Sequence, residues 1–148
     1  MKAYFLDGAS EPIGADYLGR CGITAVLYPT DPEIFQGPLD ALMARNGYVQ
    51  QDIVEISPST PNLQALKDKF AGEHIHTDDE VRFVLSGEGI FDIRDDADRY
   101  MRVEVTAGDL IVVPKGRNHR FLLTDLNAIR CVRLFQDPAG WVAHYRAA

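Results

Sequence analysis

Between residues 81 and 135 the chain repeats one arrangement: a short apolar, β-branched segment, a break carrying Gly, Asp or Pro, and another segment. The segments are 81–85, 90–94, 100–105, 110–113, 120–123 and 129–135. Short strands at this spacing pair as an antiparallel sandwich or barrel. Turns are expected at Ser86-Gly87-Glu88-Gly89 and over 95–98. Before residue 74 the pattern is looser and richer in Gly and Pro. Tyr4-Phe5-Leu6 and 21–28 read as strands. Pro29 and Pro32 then break the chain, and 38–45 reads as a short helix stopped by Asn46-Gly47. The state of 49–56 is ambiguous. A second helix is expected to start at Thr60 as N-cap with Pro61 in its first position, setting Leu63, Leu66 and Phe70 on one apolar face. The 148 residues suit one domain: an N-terminal cap over 1–58 and a β core over 59–148.

The balance of charge narrows the function. Fifteen basic against 22 acidic residues give a net charge of −7, which argues against a nucleic-acid or anionic-membrane binder. The start, MKAYFLDGASE, lacks the apolar centre of a signal peptide, and no apolar run is long enough to span a bilayer, so the cytosol is the expected compartment. Cys21 and Cys131 are read as separate buried thiols, because no CxxC motif is present. Gly87-Glu88-Gly89 lacks the helix of a dinucleotide fingerprint. Asp95, Asp96 and Asp98 lack the rest of a calcium loop and read as a solvated turn. His144 reads as surface.

Parity then isolates one polar set. His74, His76, Glu80 and Arg82 share a side if a strand runs through them, while Val81, Phe83 and Leu85 take the other. Two imidazoles, a carboxylate and a guanidinium facing inward are costly unless paired, and a divalent metal would pair them. Downstream, 108–119 reads as strand, Pro/Gly turn and histidine, so His119 can return to the same interior.

These residues carry a resemblance. HIHTDDEVRFVLSG matches the first motif of the cupin superfamily, HxH, three residues, Glu, six residues, Gly. GDLIVVPKGRNH matches the second, Gly, five residues, Pro-x-Gly, two residues, His. Asp68 stands where a Gly is usual and Leu123 where an Asn is frequent. The resemblance implies a mainly β protein, a cupin-type jelly-roll β-barrel with a few short helices in the N-terminal part, and one divalent metal held by His74, His76, Glu80 and His119.

From Ser59 onward the chain further resembles the acireductone dioxygenases of methionine salvage, through TPNLQALKDKF, EHIHTDDEVRF, GDLIVVPKG and RLFQDPAGWVAHY. The N-terminal 50 residues or so match poorly. The family implies Fe(II) or Ni(II), O2, and the substrate 1,2-dihydroxy-5-(methylthio)pent-1-en-3-one. Iron would give formate and 4-methylthio-2-oxobutanoate. Nickel would give carbon monoxide, formate and 3-methylthiopropanoate. Imidazole and carboxylate accept both metals. The resemblance places Arg82 beside the metal as a catalytic residue, and Phe70, Phe121, Arg133 and Trp141 around the substrate. Glu73 and Asp79 flank the ligands, and either can serve as base or orienter. It also implies a monomer. Two other functions stay open: a cupin oxygenase or isomerase acting on another small carbonyl compound, and a non-enzymatic cupin that binds a small molecule. Plain alternatives stand beside the single residues: core packing for Phe70 and Phe121, a salt bridge for Arg82, a solvated charge for Arg133, a barrel-end plug for Trp141.

Overall fold

A computed structural model of the chain describes residues 1–137 and 143–146. Its elements in order are β1 (Lys2–Phe5), α1 (Ala15–Arg20), β2 (Thr24–Leu27), α2 (Pro32–Asn46), β3 (Gln50–Ile56), α3 (Leu63–Ala71), β4 (His74–Ile75), β5 (Glu80–Arg94), β6 (Tyr100–Thr106), β7 (Asp109–Val113), β8 (His119–Leu122), β9 (Ile129–Phe135) and β10 (His144–Tyr145).

One strand joins the two sheets. The first half of β5 lies between β7 and β9, and β2 and β3 extend that sheet at its edges. The second half lies between β6 and β8, with β1 beyond β6 and the short β4 and β10 beyond β8. All pairings are antiparallel, as the sequence predicts. The expected turn at 86–89 is instead the middle of β5. The register against β9 shifts between Val84 and Ser86, and the strand bends there from one sheet into the other. Gly87 has φ +79°, and a Cβ on it would lie 2.2 Å from the Ala128 carbonyl oxygen. Gly87 serves a close backbone approach at a barrel corner, a use that reads like a turn in sequence.

The N-terminal third is woven into both sheets through β1, β2 and β3, and it includes the unforeseen α1. The expected helix at 38–45 begins earlier. Asp31 caps it by accepting the Glu33 N–H at 3.0 Å, and Pro32 takes the first position. Pro38 lies inside the helix, and Gly47 closes it in the left-handed conformation at φ 73°. Thr60 does not cap α3. Its Oγ1 accepts the Ser57 N–H in a preceding turn, and Asn62 is the N-cap residue. The ambiguous segment is β3.

Two apolar clusters flank the first sheet. Phe35, Leu39 and Leu42 of α2 pack on Val81, Phe83, Val112 and Leu134 outside the barrel. Val84, Phe91, Ile111, Ile129 and Cys131 belong to the inner cluster, to which Leu63 and Phe70 of α3 add from the rim. The alternation along β5 thus covers one face with a helix and turns Glu80 and Arg82 toward the interior.

Candidate metal centre

The polar set does not ride on one continuous strand. His74 is on β4, His76 follows in a loop, Glu80 and Arg82 open β5, and His119 opens β8. Register brings them together: His74 pairs with His119 across β4 and β8, and Ile93 of β5 pairs with His119. The three imidazoles offer ring nitrogens that all lie within 4.8 Å of one another. Glu80 Oε2 is 2.6 Å from His119 Nε2, and Glu80 Oε1 is 3.0 Å from Arg82 Nη2. His119 is 1% exposed, and His74, His76 and Glu80 are also buried.

Backbone carbonyls aim two of the rings. His74 Nδ1–H donates to Gly72 O at 2.6 Å and His119 Nδ1–H to Arg117 O at 2.9 Å. Both Nε2 atoms are thereby left for the centre. Burial lowers the His74 pKa, which favours the neutral, ligating ring. Burial works against the Glu80 charge, but Arg82 and His119 outweigh it and hold the carboxyl well below the ordinary range. Burial also works against the charge on His119, and here the Glu80 carboxylate prevails and raises its pKa. Octahedral ligands about 2.1 Å from one ion stand about 3–4.2 Å apart. The three imidazoles, with nitrogens within 4.8 Å of one another, can be drawn onto one divalent ion by small side-chain shifts, and Glu80 borders the group through its contact with His119.

The loop between His76 and Glu80 is fastened on several sides. Asp78 accepts the N–H groups of Asp79, Gln136 and Asp137. Asp79 accepts the Tyr48 hydroxyl at 2.7 Å and the Lys115 N–H at 2.9 Å. Gly116 N–H donates to His76 O, tying the Pro/Gly turn to the same loop.

A cavity of about 520 Å³ opens beside the cluster, within the range for a small-molecule site. Lys69, His74, His76, Glu80, Arg82 and Arg133 are among its polar walls. Phe70, Phe91, Phe121, Val54, Ile56, Ile129 and Cys131 are its apolar ones. Phe121 meets Phe70 edge-on at 6.0 Å and Phe91 at 5.0 Å between ring centres. Tyr145 of β10 closes one side, its ring 5.7 Å from that of His74.

The structure therefore brings Arg82, Phe70, Phe121 and Arg133 to the cavity that adjoins the histidines. Glu73 and Asp79 are not among the cavity's walls. Glu73 holds Arg94 at 3.1 Å and Arg146 at 2.9 Å, next in sequence to His74. Trp141 lies outside the described residues. Sequence reading missed Val54 and Ile56, because the state of 49–56 was ambiguous. It also missed Cys131 as a wall, although Cys131 shares the parity of Arg133. Tyr145 had no local signal, since β10 is a two-residue strand.

The barrel and its three-histidine cluster define a cupin with a metal-type centre. A model of the ARD/ARD' family matches residues 9–143. The chain is 39% identical over 142 residues to the acireductone dioxygenase of Dictyostelium discoideum, covering 96% of this chain and 97% of that one. It is 50% identical over 111 residues to the acireductone dioxygenase of Geobacillus thermodenitrificans, covering 74% and 62%. Among solved structures, an acireductone dioxygenase from Bacillus anthracis with a cadmium ion in its active centre superposes with a TM-score of 0.84. That pair is 33% identical and covers 88% of this chain and 87% of the other. This chain belongs to the ARD/ARD' family, and the match reaches back through the N-terminal segment that resembles the family least by eye.

Proposed function

We propose that this chain is an acireductone dioxygenase that cleaves the methylthio acireductone with O2, using Fe(II) or Ni(II) held by His74, His76, Glu80 and His119. The observation that carries this reading is the placement of two guanidiniums, Arg82 and Arg133, in a largely apolar cavity that adjoins the histidine–carboxylate cluster. A chelating, anionic ene-diol with a thioether tail needs both kinds of wall. When bound, the ion supplies a Lewis acid that lowers the substrate's pKa and holds it as a chelate.

The chain's own residues do the rest. Arg82 stands against Glu80 and places fixed positive charge next to the substrate oxygens. Phe70 and Phe121 wall off the tail and keep water from the reacting carbons. Glu73 acts from behind His74 by holding Arg94 and Arg146, and Asp79 acts by fixing the loop that carries His76. Both are positioning residues in this reading, since neither reaches the cavity. In the iron reaction both oxygen atoms of O2 end in the products formate and 4-methylthio-2-oxobutanoate.

The test is anaerobic loading with Fe(II) or Ni(II), followed by acireductone and O2, with substrate absorbance and products followed against a metal-free control. Metal-dependent loss with formate and the 2-oxo acid from the iron form is expected. One tightly held ion per chain without turnover above the control refutes the substrate assignment.

A further inference from the structure

Asp52 of β3 stands opposite Arg133 of β9, and Arg133 stands opposite Arg82 of β5. Three adjacent strands thus set one carboxylate and two guanidiniums in a single cross-strand row on the cavity side. Like charges in directly opposed positions repel, so each guanidinium needs a counter-charge. Arg82 has Glu80 at 3.0 Å. Arg133 has Asp52, through Nε to Oδ1 at 2.7 Å and Nη2 to Oδ2 at 2.5 Å.

The two carboxylates differ in their other duties. Glu80 also meets His119 and belongs to the ligand set assigned above, so its charge is shared with an ion. Asp52 does not line the cavity, and its charge faces the arginine. A two-point fork fixes the plane of a guanidinium, which a single bond leaves free to rotate. Arg133 keeps 28% side-chain exposure, so without the fork it has room to swing toward solvent and away from Arg82.

We propose that Asp52 is a positioning residue for substrate binding: its fork holds Arg133 at the cavity wall, where the guanidinium joins Arg82 in binding an anionic ene-diolate. This rests on the acireductone reading, which supplies the anion. Asp52 acts through Arg133 and leaves the histidine cluster untouched. Its loss therefore weakens capture of the substrate more than it slows the chemistry at the chelated end.

The experiment is steady-state kinetics of the Fe(II)-loaded full chain with the acireductone, for wild type, Asp52→Asn, Asp52→Glu, Arg133→Ala and the Asp52→Asn/Arg133→Ala pair. Bound iron and thermal midpoint are measured on each preparation. The expected result is a KM about fivefold higher in Asp52→Asn with kcat within about twofold and full iron content, as suits a partly exposed pair. Asp52→Glu recovers most of the loss. In the Arg133→Ala background, Asp52→Asn changes KM by less than about twofold, because the partner is already gone. An unchanged KM in Asp52→Asn, or an effect that persists in full without Arg133, overturns the proposal while the acireductone reading stands. A wild-type enzyme that holds iron and turns over no acireductone overturns both.

Discussion

Gly89 of β5 leaves room for the ring of Phe121, a wall of the cavity, and Gly89→Ala tests that fit. A Cβ at this position would stand 2.6 Å from Phe121 Cε2, 2.8 Å from Phe121 Cζ and 3.1 Å from Ile129 Cδ1. Carbon atoms rest about 3.5–4.0 Å apart, so the ring must retreat by about 1 Å. The Gly89 backbone is not in the left-handed region, so alanine adds crowding and no dihedral strain. Phe91 at 5.0 Å and Phe70 at 6.0 Å limit the ring on two sides, and the cavity is where it has room to go. Crowding of this kind costs about 1–3 kcal/mol, or a fall in thermal midpoint of roughly 3–9 °C for a chain of this size. In the same variant, KM for the methylthio acireductone rises several-fold, while an acireductone with a shorter tail is affected less. The assay is a pair of KM values for the two substrates with thermal melts of the same samples. Phe121→Leu added to Gly89→Ala removes the overlap and restores the midpoint. An unaltered midpoint with unaltered discrimination between the tails refutes the placement of Phe121 as the tail's wall.

Three further outcomes are expected. His119→Ala removes one donor and leaves Glu80 without its 2.6 Å partner, so affinity for a divalent ion falls by at least about a hundredfold, as read by bound metal after desalting; retention of a full equivalent refutes the assignment. Asp92 is fully buried and bridges Arg102, by two bonds, and Arg120, so Asp92→Ala leaves two guanidiniums without their shared carboxylate and costs about 3 kcal/mol in denaturant unfolding. Asp95 has its carboxyl pKa lowered: burial opposes the charge, and the Arg99 and Ala97 N–H groups, the Tyr17 hydroxyl and the Arg99 side chain outweigh it. A depressed folded pKa contributes stability that is present above the unfolded value near 3.8 and is lost as pH falls through the lower folded value. Asp95→Asn is accordingly less stable at neutral pH, with a shallower decline below about pH 4; parallel pH–stability curves for the two proteins refute this.

What could be read from the sequence followed from local pattern. The alternation through Val81, Arg82 and Phe83 forecast which side of β5 is polar and which apolar, because parity survives whatever happens at the strand's ends. The segment 129–135 was legible to the residue, since β9 is largely apolar and preceded by a turn. Signals with two uses were misread. The glycines at 87 and 89 mark a turn in most chains, and here one admits the Ala128 carbonyl and the other the ring of Phe121. Pro32 was taken as a break, when Asp31 before it makes it the first residue of a helix. Asp52 had no local signal. Its meaning comes from pairing with a residue 81 positions away, and only the register of β3 on β9 supplies that.

The passage of β5 through both sheets has a further consequence, for how the centre moves. Residues 81–83 and 90–93 of β5 are flanked by paired strands on both sides, so their amides exchange with solvent only when a neighbouring strand opens. β4 is two residues long, touches β8 at one pair and leans on the equally short β10. His74 rides on this sparsely paired strand, while His76 lies in the loop tied by the Gly116 N–H and Glu80 opens β5 opposite Val113. A change of bound ion is expected to alter hydrogen exchange at residues 74–75 more than along β5, and an equal change in both refutes this contrast.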